Sequence, residues 1–205
     1  MKTSVIAGMA VAVVLAGAAH AADPRHPDWP CHQIMVPSLS VSAFWTGPAI
    51  DAVGDAWRKD QTVNDLVLRL AARRTPLDAA EKAAQAFVAG SPDGRKERAT
   101  LLFAGLFARL NEERSQVMNG IQRFSHRQQE LRTKIQAELT TLRGIQDATE
   151  QNGTAGDKLG EQIAWDTRVF DERRHTIGYV CEVPATIERR LFALARAIQQ
   201  ALNQH

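Results

Sequence analysis

From Arg95 to Glu150 the chain runs without a proline, and apolar residues return at the three- and four-residue spacing of one helix face. One seam position reads Phe107, Arg114, Ile121, Gln128, Ile135, Leu142, and its partner reads Leu110, Val117, Phe124, Leu131, Glu138, Ile145. Nine of these twelve residues are apolar, which is too regular for a loop and too narrow for a helix buried all round. A helix of that length would reach about 80 Å. Gly105, Gly120 and Gly144 should each weaken it, by up to about 1 kcal/mol relative to Ala.

Gln151-Asn152-Gly153-Thr154-Ala155-Gly156 reads as the turn that ends this helix. A second arm then places Leu159, Ile163, Phe170, Ile177 and Val180 on one face. Pro184 is expected to interrupt that arm, and a last helix carries Ile187, Leu191, Leu194, Ile198 and Leu202. Two long arms about a short turn predict an antiparallel hairpin, here a coiled-coil stalk at about 122–180 with its tip near Asn152. A turn centred on Gly153 would set Glu138 beside Arg168 as an interhelical ion pair and Phe124 opposite Cys181.

Shorter helices precede the stalk. Asp60 to Arg74 carries Val63, Leu66, Val67 and Leu70 on one stripe. Thr75 is then expected as an N-cap, with Pro76 at the first helical position and Asp78 in the first turn. Leu77, Ala80, Ala84, Phe87 and Val88 follow, Gly90 ends the helix, and Ser91-Pro92-Asp93-Gly94 is a turn. No stretch reads as a strand. The expectation is an all-α fold: one helical domain over 49–205, its base cored by Leu66, Leu70, Phe87, Phe107, Leu191 and Leu194. Before it, residues 22–48 contain Pro24, Pro27, Pro30, Pro37 and Pro48, too many for a helix. They also carry Trp29, Ile34, Val36, Phe44 and Trp45, so this Pro-rich extended arm is expected to lie along the body with its aromatics buried.

Residues 1–21 have the parts of a signal peptide: Lys2, an uncharged run from Val5 to Ala19, and an Ala19-His20-Ala21 cleavage site. The run is shorter than the roughly 20 residues that span a bilayer, so cleavage and a periplasmic or secreted location are expected, with no transmembrane segment left. In an oxidising compartment the two cysteines, Cys31 and Cys181, predict one disulfide. The chain-entropy model gives roughly 5 kcal/mol for a loop of that size.

With Lys2 removed, 24 basic residues stand against 23 acidic ones, a balance with no general attraction for nucleic acid. Phosphate-binding, nucleophile-elbow and zinc-enzyme motifs are all missing, and no catalytic residue, cofactor or metal is expected. His26 and His32 lie near Cys31 but lack helical ligand spacing, while His126 and His175 read as polar neighbours beside the seam. Arg114, Arg123, Arg127, Arg132 and Lys134 make one arm basic, whereas Asp147, Glu150, Asp157, Glu161 and Asp166 make the tip acidic. The polar seam residues Arg114, Gln128, Glu138, Asp166 and Arg173 either fix register or mark where a third helix from another molecule lies. The expected function is non-enzymatic. The chain would bind another exported or envelope protein as chaperone, adaptor or accessory subunit, docking through Asp147, Glu150, Asp157 and Glu161. The alternative is a small-ligand or metal module between arm and base, walled by Trp29, Trp45 or Trp57, and an enzyme of unknown class stands third.

Overall fold

The computed structural model describes residues 26, 28–90, 93–148 and 153–203, and the described residues are built from helices with no strand among them. A 3-10 turn at Val41–Ala43 precedes α1 (Ala56–Lys59), α2 (Gln61–Ala71), α3 (Leu77–Ala89), α4 (Arg95–Asp147) and α5 (Gly153–Asn203). The expected signal peptide lies outside the described residues. So do Pro24, Pro27, Ser91, Pro92, Glu150, Gln151, Asn152 and His205.

Local chemistry starts α2 and α4 where the sequence predicts. The Asp60 carboxylate accepts from the Val63 amide at 3.1 Å and caps α2. Glu97 places a negative charge in the first turn of α4, against the positive end of the helix dipole. Thr75 does not cap α3. Its hydroxyl donates instead to the Arg69 carbonyl at 2.7 Å, one of the last-turn carbonyls of α2 that no helical amide reaches. Pro76 takes the cap position, and α3 begins at Leu77 with Asp78 in its first turn.

Two further boundaries differ from expectation. Gly153 to Gly156 forms the first turn of α5 and not a loop. At Gly156 an added Cβ would lie 3.6 Å from Ile145 Cγ2 and 3.9 Å from Leu142 Cδ1, so this turn faces the end of α4. Pro184 likewise sits inside an unbroken α5. A mid-helix proline costs about 3 kcal/mol because it lacks the N–H and crowds the preceding turn. Here it is buried, on one stripe with buried Cys181 and Ile187, and that burial offsets the cost. The same stripe shows why Val180 is exposed: the inward face passes from Ile177 to Cys181, leaving Val180 off it.

α4 and α5 each exceed fifty residues and pack along one another. Arg114 bonds Glu188, Gln128 bonds the Phe170 carbonyl, and Lys134 bonds Asp166, so partners descend α5 as they ascend α4. From Gln128 to Asp147, the seam residues Gln128, Leu131, Ile135, Glu138, Leu142 and Ile145 are half-buried, and every other residue except Leu139 is exposed. The register differs from that set by a turn at Gly153. Glu138 pairs with Lys134 on its own helix at 3.6 Å, and Arg168 is exposed without joining it.

The main core lies at the other end. Val67 and Leu70 of α2, Ala80 and Val88 of α3, Leu102 to Leu106 of α4, and Leu191, Leu194 and Ile198 of α5 are buried together. Phe87 and Phe107, expected within this core, stand half-buried at its margin. Trp45 stacks on Phe103 at 4.3 Å between ring centroids, and its indole N–H donates to the Pro48 carbonyl at 2.7 Å.

The glycines of α4 divide by environment. A Cβ at Gly105 would stand 2.6 Å from Val67 Cγ2 and 3.0 Å from the Trp57 ring, both fully buried, so Gly105 is a close-packing site. At Gly120 a Cβ would meet nothing. Gly105→Ala should therefore destabilise the protein by about 1–3 kcal/mol through overpacking. Gly120→Ala should stabilise it by up to about 1 kcal/mol through helix propensity. Urea midpoints of the two variants moving in the same direction would contradict this division.

Candidate functional site

Beyond the main core, α4 and α5 continue as a two-helix limb. Met118, Ile121 and Ser125 of α4 and Ile163, Asp166 and Cys181 of α5 are its most buried residues. A two-helix layer can bury only one stripe of each helix, and the rest of both surfaces faces solvent. Residues 171–176 of α5 are all exposed. Arg173, expected on the seam, is among them. Opposite that stretch α4 turns its polar side chains to a different partner, the segment that precedes the helices.

That segment crosses the limb where it meets the body. Ser125 Oγ donates to the Asp28 carbonyl, Gln129 Nε2 donates to the Asp28 carboxylate, and Gln122 Nε2 lies 3.5 Å from Met35 Sδ. Gln33 reaches across to Glu182 of α5 at 3.2 Å. Cys31 and Cys181 stand at disulfide distance, with sulfurs 1.99 Å apart and Cα atoms 5.5 Å apart. Met35 is buried here, while Ile34 and Val36, expected to be buried, are exposed. Side chains alternate across an extended chain, so seating Met35 against α4 turns both neighbours outward. Trp29 is half-buried and donates from its indole to the Gln33 carbonyl at 2.6 Å.

Trp45 and Trp57 are 5% and 1% exposed. They fill the core and do not wall a cavity between arm and base. His126 Nδ1 stands 3.9 Å from Asp28, and His175 Nδ1 bonds the Asp171 carbonyl of its own helix at 2.8 Å, so the two histidines do not face each other. Among the described residues no group of three or more His, Cys, Asp or Glu is placed to hold a metal ion. No described helix is long and apolar enough to cross a membrane.

The far end of the limb carries the acidic residues singled out from sequence. Asp147, Asp157 and Glu161 are exposed, and Glu150 lies outside the described residues. Asp166 is drawn inward, where Lys134 Nζ binds it at 2.7 Å and Gln162 Nε2 at 3.0 Å. The Lys134 hydrogen bond, with that from Gln162, holds the Asp166 carboxyl below its ordinary 3.8. The Asp166 hydrogen bond raises Lys134 above 10.5. The pair therefore contributes fully at neutral pH. Its contribution fades as pH falls through the lowered carboxyl value, and again as pH rises through the raised ammonium value. By NMR, the Asp166 carboxyl should titrate below 3.8 and move upward in Lys134→Met. An unchanged midpoint in that variant would remove Lys134 as the cause.

Sequence patterning missed the most conspicuous surface feature. Trp165 is 59% exposed and Tyr179 is 82% exposed, both on α5. The signal was present: both fall outside the Leu159, Ile163, Phe170, Ile177 stripe, so the seam could not bury them. They lie about 21 Å apart along the axis, nearly four helical turns, and thus on one side of the helix.

The chain is an all-α protein in which two long helices pack together and a cysteine pair joins the preceding segment to α5. Comparison with protein-family models, curated proteins and solved structures finds no match.

Proposed function

We propose that the chain is an exported, non-enzymatic protein that uses the α4/α5 limb to bind another envelope protein as chaperone, adaptor or accessory subunit. In this reading the limb is an antiparallel coiled-coil hairpin, the Pro-rich segment is an extended arm clamped across it, and residues 1–21 are a signal peptide. The cysteine pair fits an oxidising compartment such as the periplasm.

The observation that carries the proposal is the outward pair Trp165 and Tyr179. Large aromatics on a solvent-facing helix side stabilise nothing within the limb, and Trp and Tyr are enriched at the energetic centres of protein interfaces. Arg168 and Glu172 lie between them on that side and would supply a polar rim. The occupant we assign is a helix of the partner protein laid along α5. The exposed acidic end at Asp147, Asp157 and Glu161 would meet a basic part of the same partner.

Two variants test this reading in periplasmic pull-downs quantified against the intact protein. Trp165→Ala/Tyr179→Ala should keep the fold and lower partner recovery by at least about thirtyfold, the effect of one hot-spot residue. Removing Leu139 to Ala164 and reclosing the turn takes away Asp147, Asp157 and Glu161 but keeps Trp165 and Tyr179, so it should leave a folded base and lower recovery by less than the double variant does. Equal recovery of the same proteins by the intact chain and the double variant would defeat the proposal.

A further inference from the structure

A second surface lies on the base, away from the limb's aromatic face. A cleft of about 300 Å³ opens where the end of α2, the start of α3, α4 and α5 converge. Its inner wall is apolar: Ala71, Leu110 and Ile187 are almost wholly buried, and Leu77 forms a half-exposed lip. Its rim carries three guanidinium groups, those of Arg73, Arg189 and Arg190, against the single carboxylate of Glu113.

The hydrogen bonds of these groups show what the rim lacks. Arg73 uses Nε and Nη2 on the Glu113 carboxylate, at 3.2 and 2.9 Å, so that acid is already engaged. Arg190 donates from Nε to the Leu70 carbonyl at 2.7 Å and from Nη2 to the Thr75 carbonyl at 2.9 Å, which fixes its fork at the mouth. Both acceptors are neutral. Partial burial pushes the Arg190 guanidinium down from its ordinary value, with the Glu113 charge opposing, yet arginine stays protonated at any physiological pH. Arg189 bonds only the Thr186 hydroxyl, at 3.0 Å. Glu188, the preceding residue of α5, is taken by Arg114. Among the described residues, therefore, two cations stand at the mouth of an apolar cleft without a carboxylate bonded to either.

We infer that this cleft binds a small amphiphilic carboxylate, its apolar body against Leu77 over the floor of Ala71, Leu110 and Ile187, and its carboxylate on Arg189 and Arg190. A planar guanidinium fork matches a carboxylate in geometry as well as charge. The inference does not depend on the limb's role, since none of these residues belongs to the limb's aromatic face.

Octanoate is the probe, with acetate and 1-octanol as controls for the charged and apolar halves. Methyl NMR of the full mature chain should show saturable octanoate shifts at Leu77, Leu110 and Ile187, with at least tenfold weaker binding of either control. Arg189→Gln removes an exposed side chain bonded only to Thr186, so it should leave the fold intact and weaken octanoate at least tenfold. Leu77→Glu, at the half-exposed lip, should place a repelling charge at the mouth and abolish the shifts. The inference is overturned if octanoate leaves these methyls unmoved, or if 1-octanol binds as tightly. It is also overturned if Arg189→Gln retains full affinity while still folded.

Discussion

Replacing Cys31 and Cys181 together by serine should lower global stability by about 3–5 kcal/mol. The pair joins residues separated by 150 positions, and a cross-link over so long a loop removes much of the freedom of the unfolded chain. The loss should be felt unevenly in the native state. Neither cysteine belongs to the cluster around Phe103, Leu191 and Leu194, so the base should still fold. Without the bridge, the contacts that hold the segment around residues 28–35 include those of Asp28 with Ser125 and Gln129, the Gln122–Met35 contact and the Gln33–Glu182 hydrogen bond. Each is partly exposed and contributes about 1 kcal/mol. Urea unfolding should therefore show a lowered midpoint, and hydrogen exchange should accelerate first at residues 122–129 and 178–185. A serine variant with the midpoint of the oxidised protein would show that the bridge constrains nothing that matters for folding.

How much of this was legible in the sequence follows from what each residue's partners are. The α4 seam was readable because burial there depends on a partner helix of matching period, and the half-buried positions from Gln128 to Ile145 repeat the heptad. Pro184 and Gly153 to Gly156 were misread because local propensity argues for a break at both. Pro184 is nonetheless buried within α5, and Gly156 faces Leu142 and Ile145 of α4, surroundings that no local pattern shows. Thr75 was misread for a related reason: its hydroxyl could accept from a first-turn amide of α3 as a cap or donate to the Arg69 carbonyl, and it donates to the carbonyl. The cysteine pair was legible from an even count and an expected oxidising compartment. The limb's exposed aromatics were present as off-stripe residues, but a pattern read for its apolar seam draws attention to what is buried. The arginine cleft was invisible, because Arg73 lies in the turn after α2 and Arg190 within α5, and nothing local brings them together.

Arg114 provides the second large effect, and its sign separates charge from packing. Its side chain is 3% exposed, on the turn of α4 between core residue Leu110 and limb residue Met118. Nε bonds the Glu188 carboxylate, while Nη1 is buried without a hydrogen-bond partner. Removing Glu188 would strand a buried cation, and breaking such a pair costs about 3–5 kcal/mol. Glu188 is 36% exposed, so water relieves part of that penalty and we expect Glu188→Ala to fall near the lower end. Arg114→Met should behave differently. It fills similar volume, removes the buried charge, and leaves a carboxylate that solvent already reaches, so its effect should lie within about 1 kcal/mol of neutral. The double variant should then resemble Arg114→Met and recover most of what Glu188→Ala loses. Equal losses in the two single variants would mean that the pair acts through packing and not through charge. The expected asymmetry would instead make Arg114 a register device at the junction of base and limb, less stable than an apolar residue there. An ion pair of fixed partners penalises sliding α4 along α5, because any slip separates Arg114 from Glu188 and leaves the cation buried alone.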